Sequence, residues 1–200
     1  MWRRILSVIK KIARGESVTA IVLPAADWDR QYEKGNCDFL LDSQQNVVLI
    51  GHLLREMAAA PGGLRVLDVG CGNGALAREL VGSLVTYVGT DISSAAIASA
   101  STQYKDFTFV VQPMEMAPNL GTFDVIVFCE VLLYGPYRDI LTTYQSSLVA
   151  DGHVLISLYD SWRTRVIWRR VSGLLTTRKH FRVSDCLRPV TWNIKLCRYQ

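Results

Sequence analysis

Residues 65–81 constrain this chain more than any other stretch. Arg65-Val66-Leu67-Asp68-Val69 is a short apolar run of strand character, residues 70–74 carry a glycine at every second position, and residues 75–81 have helical character. A glycine loop between a strand and a helix lets the backbone turn sharply and bring its N–H groups close to a ligand. The same rhythm repeats downstream: residues 86–90 read as a strand, 93–104 as a helix, 107–111 and 123–129 as strands, and 137–148 as a helix. Residues 153–158 read as a fifth strand after an Asp151-Gly152 turn. Upstream, Val47, Val48, Ile50, Leu53, Leu54 and Met57 mark a helix over 42–60, stopped by Pro61-Gly62-Gly63. Strands alternating with helices predict an α/β fold, a doubly wound parallel sheet binding its ligands at the carboxyl ends of the strands. The tail differs in kind: residues 161–175 read as a helix, then 181–183 and 192–196 as a closely spaced antiparallel pair.

Two hundred residues, 50% hydrophobic and 20% charged, make one globular domain and exclude a disordered or low-complexity chain. Cys37, Cys71, Cys129, Cys186 and Cys197 form an odd set with no C-x-x-C pair, which fits a reducing cytoplasm better than a disulfide framework or a structural zinc site. His52, His153 and His180 are scattered, with no H-x-x-x-H and no carboxylate cluster, so no metal is expected. No apolar run reaches the roughly 20 residues of a membrane-spanning helix.

The net charge of +4 is unevenly placed. Residues 1–14 hold Arg3, Arg4, Lys10, Lys11 and Arg14, and residues 161–182 hold seven further bases, with no acid in either segment. The remainder carries 10 bases against all 18 acids. Trp2, Ile5, Leu6, Ile9 and Ile12 recur at helical spacing with the cations between them, so residues 1–20 read as a basic amphipathic helix and linker ahead of a domain over 27–200. That helix either lies in the headgroup layer of an anionic membrane, a peripheral contact on its inner face, or docks on its own domain. For the arginine tract the plainer expectation is a solvated helix face with Trp162 and Trp168 packed inward.

The ligand follows from the glycine spacing and its two acids. Asp91 ends the next strand, 21 residues past Gly70, where a carboxylate can accept from both hydroxyls of a ribose. A dinucleotide loop is G-x-G-x-x-G; here G-x-G-x-G follows Asp68, which would repel a pyrophosphate and favour a cationic ammonium. Residues 66–74, Val-Leu-Asp-Val-Gly-Cys-Gly-Asn-Gly, resemble the first motif of class I S-adenosylmethionine-dependent methyltransferases. Residues 87–93, 123–130 and 148–156 continue that resemblance, which covers about 27–200.

The resemblance implies a Rossmann-like seven-stranded sheet, mostly parallel with an antiparallel last strand, and S-adenosylmethionine as cofactor. It implies that Gly70, Cys71, Gly72 and Gly74 line the methionine portion and that Asp68 reaches the ammonium through the loop. Asp91 would hold the ribose, and Ile92 and Met114 would flank the adenine. Tyr32 resembles the family's lid aromatic, the alternative being a surface-packed tyrosine. Many relatives carry an acid where this chain has Pro113, so Glu115 or the Met114 N–H would read the adenine amino group instead.

Methyl transfer from a sulfonium needs alignment and desolvation and at most one proton acceptor. Glu130, at the carboxyl end of the fourth strand, is the candidate general base, its alternative role being cofactor or loop positioning. Tyr134 is a second catalytic candidate, with Tyr159 and Asp160 at the same sheet edge. A nucleic-acid methyltransferase is disfavoured, because Cys129-Glu130-Val131-Leu132 stands where base methylases resemble one another in Asp/Asn-Pro-Pro-aromatic or Pro-Cys turns. The chain is most similar to small-molecule enzymes, including bacterial saccharide and nodulation N-methyltransferases, which implies an O or N acceptor on a saccharide or lipid-linked glycan. The rival from another class is a non-catalytic cofactor-binding or scaffold protein, which has no need of three loop glycines.

Overall fold

The computed structural model describes residues 23–37, 44–117, 119–185 and 189–200. The helix expected over residues 1–14, its linker to residue 20, and Cys186 lie outside the described residues.

Seven strands form one sheet: β1 Leu64–Val69, β2 Val85–Asp91, β3 Thr108–Val111, β4 Phe123–Cys129, β5 Leu148–Tyr159, β6 Leu175–Ser184 and β7 Thr191–Tyr199. Their order is β3-β2-β1-β4-β5-β7-β6. The first five pair in parallel, and β7 runs antiparallel to both β5 and β6. The helices are α1 Ala25–Glu33, α2 Gln45–Ala58, α3 Ala75–Leu80, α4 Ser94–Gln103, α5 Tyr137–Tyr144 and α6 Trp162–Val171. This is the doubly wound, mostly parallel sheet that the alternating pattern predicts.

The central strands are continuous apolar runs because both faces are covered. Leu67, Ile126, Phe128 and Ile156 pack toward α5 and α6, while Val66, Val125, Val127 and Leu155 pack toward α2 and α3. Each fully buried side chain of this kind contributes roughly 1.5–3 kcal/mol of transfer free energy. The winding reverses between β1 and β4, so their carboxyl ends diverge and leave a crevice there.

Four local features differ from expectation. Helix α1 is absent from the sequence reading, since Trp28 and Tyr32 are its only aromatic positions and Pro24 supplies no capping side chain. The helix expected over 137–148 stops at Tyr144, and after one 3-10 turn β5 begins at Leu148 and runs straight through Asp151-Gly152. Pairing with β4, whose register shifts between Phe123 and Val125, overrides the turn preference of that dipeptide. The helix expected over 161–175 ends at Val171, because Leu175 already opens β6, and the β6–β7 hairpin pairs from Leu175 to Ser184, longer than the two short strands expected. Finally, Trp162 is not packed inward: Thr164, Ile167 and Val171 form the buried face of α6 and leave Trp162 55% exposed.

Candidate functional site

The loop after β1 is stitched to the end of β2. The N–H groups of Gly70 and Cys71 both donate to the Thr90 carbonyl, at 2.7 and 2.9 Å. Asp91 accepts the Gly72 N–H on Oδ2 and the Ser93 N–H on Oδ1, each at 2.9 Å. Burial raises the Asp91 carboxyl above its ordinary value, opposed by these N–H donors. Gly72 has φ +55°, and a Cβ there would lie 2.6 Å from the Tyr32 hydroxyl, so only glycine fits beneath that ring.

Asp68 lies beneath the loop rather than on the cleft wall, 2% exposed. Its Oδ2 accepts the Tyr87 hydroxyl at 2.7 Å, while its buried Oδ1 has no partner. Burial pushes the carboxyl up to about 7, with the Tyr87 bond opposing. A buried acceptor left unpaired is costly, and it is the feature expected of a group waiting for a donor.

Helix α1 forms the opposite wall and is latched to the start of α4. Asp29 Oδ1 accepts the Ser93 hydroxyl at 2.7 Å and the Ala95 N–H at 3.1 Å, and Oδ2 accepts the Ser94 hydroxyl at 3.3 Å. These bonds, the Ser93 hydroxyl foremost, hold the Asp29 carboxyl below its usual range. The latch fixes Tyr32 over Gly72 and sets the Trp28 ring edge-on to Tyr134, with centroids 5.2 Å apart.

At the end of β4, Glu130 has φ +59°, the only positive φ of a non-glycine among the described residues. Such a conformation persists only where its surroundings over-determine it, and here β5 does so. The Glu130 N–H donates to the Ser157 carbonyl at 2.9 Å; Oε1 accepts the Ser157 hydroxyl at 3.3 Å and Oε2 the Tyr159 N–H at 3.2 Å. Asn46 of α2 donates its amide to Ser157 Oγ at 3.2 Å. Burial pushes the Glu130 carboxyl up to about 8 against these donors, and burial, with Glu130 nearby, pushes the Tyr134 phenol to about 12.

Tyr32, Gly70, Asp91, Ile92, Met114, Glu115, Glu130 and Tyr134 meet on one cleft. Cys71, Gly72 and Gly74 are buried in the loop and, with Asp68, do not line it. The wall also holds Trp28, Cys37, Gln112, Cys129 and Val131, to which the sequence pattern assigns no role in a site. Gln112 and Cys129 stand at carboxyl ends of strands, so the rule that singles out Asp91 would have found them; Cys37 has no local signal. Asp160 instead pairs with Arg165 and Arg182, and His153 accepts from Arg198 at 3.1 Å, and neither lines the cleft. Among the described residues no group of three or more His, Cys, Asp or Glu forms a metal-binding cluster.

Among the described residues the cleft wall carries three carboxylic acids, Asp91, Glu115 and Glu130, and no Lys, Arg or His. With its aromatic and apolar lining, it is built for a ligand bearing positive charge and repels phosphates. The residues present therefore fit a sulfonium amino acid joined to a nucleoside: an unpaired Asp68 oxygen beneath the glycine loop, Asp91, and apolar Ile92 and Met114.

A family model described as a methyltransferase domain matches residues 41–185. The ubiquinone biosynthesis O-methyltransferase of Agrobacterium fabrum is 33% identical over 100 residues, covering 48% of this chain and 40% of that protein. The chain spans about half the length of the curated relatives it matches. Among solved structures, the N-methyltransferase NodS of Bradyrhizobium japonicum superposes with a TM-score of 0.67 at 17% identity, covering 86% of this chain and 98% of NodS. The 1,6-didemethyltoxoflavin-N1-methyltransferase of Burkholderia thailandensis superposes with a TM-score of 0.72 at 15% identity, covering 92% and 93%. Both likenesses are of fold.

Proposed function

Because the chain belongs to the methyltransferase-domain family, the class I S-adenosylmethionine-dependent methyltransferases, we propose that it transfers a methyl group from S-adenosylmethionine to an oxygen or nitrogen of a small-molecule acceptor. The observation that carries this reading is the cleft at the carboxyl ends of β1, β2 and β4, acid-lined and free of bases among the described residues. S-adenosylmethionine, when bound, supplies a methyl group on a positively charged sulfur.

In this reading Asp68 takes the amino-acid ammonium with its unpaired Oδ1, through the glycine loop, whose Gly70 borders the methionine portion while Cys71, Gly72 and Gly74, buried behind it, hold the loop's shape. Asp91 keeps lone pairs for the ribose hydroxyls beyond the two N–H groups it accepts. Ile92 and Met114 sandwich the adenine, Glu115 takes its amino group in place of the missing acid at Pro113, and Tyr32 closes over the loop and excludes water. Glu130 accepts the proton of the attacking acceptor as the carbon–sulfur bond breaks and the new carbon–oxygen or carbon–nitrogen bond forms. A cation in the cleft favours the ionised form of Glu130, which burial alone disfavours. Tyr134 orients the acceptor against Trp28, and that aromatic pair suits the C–H face of a saccharide.

The names of the relatives include both O- and N-methyltransferases, and both acceptor atoms stay within the proposal. We take the acceptor to be a saccharide or lipid-linked glycan, the catalytic unit to be residues 27–200, and the site of action to be the cytoplasm, with residues 1–14 touching the inner face of the membrane. No helix among the described residues is long and apolar enough to cross one.

Titration calorimetry with S-adenosylmethionine and its demethylated product, on the wild type and on Asp91→Ala, tests the reading. Saturable binding lost in the variant supports it, and an acceptor screen weighted to saccharides follows. Absence of binding by the folded protein would leave a scaffold protein of the same fold.

A further inference from the structure

Helix α6 presents a face that the fold does not use. Thr164, Ile167 and Val171 turn inward, so Trp162, Arg165, Val166 and Arg169, at i, i+3, i+4 and i+7, share the outer side. Trp162 is 55% and Val166 37% exposed, one helical turn apart, and the exposed Arg165 and Arg169 share their face. Trp168, by contrast, is half-buried beneath the Lys195 ammonium, 4.4 Å from its ring centroid.

The surroundings are cationic. Residues 161–184 contain no acid. Asp160 receives Arg165 through two bonds, at 3.0 and 3.3 Å, and Arg182 of β6 at 3.2 Å. One carboxylate thus holds two guanidinia, leaving a net positive charge on two largely exposed side chains. Among the described residues no acid pairs with Arg169. An apolar pair rimmed by guanidinia is the chemistry of an interface between hydrocarbon and phosphate. A nucleic-acid strand would use the arginines and stack on the indole, but gains nothing from Val166.

The position of this face adds a reason. Helix α6 starts three residues past Tyr159, whose N–H holds Glu130, so it stands at the same edge of the sheet as the cleft. We propose that the outer face of α6 is a docking surface for an anionic lipid bilayer, Trp162 and Val166 entering the headgroup layer while Arg165, Arg169 and Arg182 meet lipid phosphates. Docking there sets the cleft beside the membrane, where an acceptor with a lipid tail is held. The docking itself does not depend on the methyl-transfer reading, since its test reads partitioning and not activity.

The experiment uses the full chain with vesicles of phosphatidylcholine alone and with added phosphatidylglycerol. The wild type is expected to co-sediment with the anionic vesicles and not with the neutral ones. The double variant Trp162→Ser/Arg169→Glu is expected to bind them about tenfold more weakly with an unchanged melting midpoint, since each surface cation and each buried apolar group contributes independently. Brominated-chain lipid is expected to quench wild-type tryptophan fluorescence and to quench Trp162→Phe less, a readout that holds even if the double variant fails to fold. Equal quenching and equal sedimentation of variant and wild type would overturn the proposal. So would a loss confined to Lys10→Glu/Lys11→Glu, which would assign membrane contact to the first residues alone. Binding to single-stranded RNA without binding to vesicles would overturn it in favour of a nucleic-acid surface.

Discussion

Ser157 donates its hydroxyl to Glu130 Oε1 across 3.3 Å while its oxygen accepts the Asn46 amide at 3.2 Å. The hydrogen bonds all run in one direction, from helix α2 through β5 to the carboxylate, and each donor favours the ionised form. Ser157→Ala is therefore expected to raise the Glu130 pKa further. The alkaline-rising limb of kcat/KM should move to higher pH, and turnover at pH 7 should fall about 3- to 10-fold. Cofactor affinity should stay put. A pH–rate profile with parallel calorimetry checks this; an unmoved limb would show that Ser157 only packs.

Glu130→Gln keeps the shape and can still accept the Tyr159 N–H on its amide oxygen, while its NH2 meets Ser157 as a donor, and it removes the proposed proton acceptor. Turnover is expected to fall about 10²-fold or more, with cofactor affinity nearly unchanged. In the wild type kcat/KM should rise with pH through about 8, where the free enzyme's Glu130 ionises, and the variant should lose that limb. Single-turnover kinetics across pH separates the two cases.

Asp68→Asn sets stability against function. Burial raises the Asp68 carboxyl from 3.8 to about 7 in the folded chain, so its ionised form opposes folding. That cost is nil below about pH 4, grows as pH rises, and is complete above about pH 7. The ligand-free variant should thus be more stable than the wild type at pH 8, by on the order of 2 kcal/mol, and no more stable at pH 4. Binding of S-adenosylmethionine should weaken at least tenfold. Denaturant melts at the two pH values, with and without cofactor, provide the comparison.

Asp29→Ala cuts the latch between α1 and α4. Three donors at the start of α4 lose their acceptor, which is expected to cost about 1–2 kcal/mol. The Asp29 carboxyl is held below its ordinary value, so its contribution is present above about pH 4 and is lost on further acidification. Because the same helix carries Trp28 and Tyr32, cofactor release should quicken by about tenfold. Stopped-flow dissociation measures that rate, and an unchanged rate would mean that the lid needs no latch.

The part of the site nearest β1 is legible in the sequence because its information is local. The glycine loop, Asp68 and Asp91 sit at fixed offsets from two apolar strands, and Glu130 follows a third. What escapes is set by tertiary packing. Helix α1 earns its place through Asp29 bonding to Ser93, 64 residues away, and nothing in its own composition announces a helix. Asn46 is fully buried in a helix whose periodicity accounts for it as one more inward position, and only its approach to Ser157 gives it a role. Asp151-Gly152 carries a strong turn signal that the pairing of β5 overrules. Trp162 reads as core by residue type and lies outside by geometry, because Thr164, Ile167 and Val171 had already defined the inner side.

The order β2-β1-β4-β5 separates two tasks among neighbouring strands. The loop glycines, Asp68 and Asp91 hang from β1 and β2, whereas Glu130, Tyr134 and the Tyr159 N–H hang from β4 and β5. Within the sheet a single parallel pairing, Val66–Val69 against Val125–Phe128, joins the halves. Segments that follow β4 and β5 can therefore be exchanged, by drift or by design, provided the contacts of Val131 with Gly70 and of Tyr134 with Trp28 are matched, and the chain is divisible into a handle and a replaceable tool. Grafting the 130–136 and 159–163 stretches from a relative is the economical way to redirect it to another acceptor.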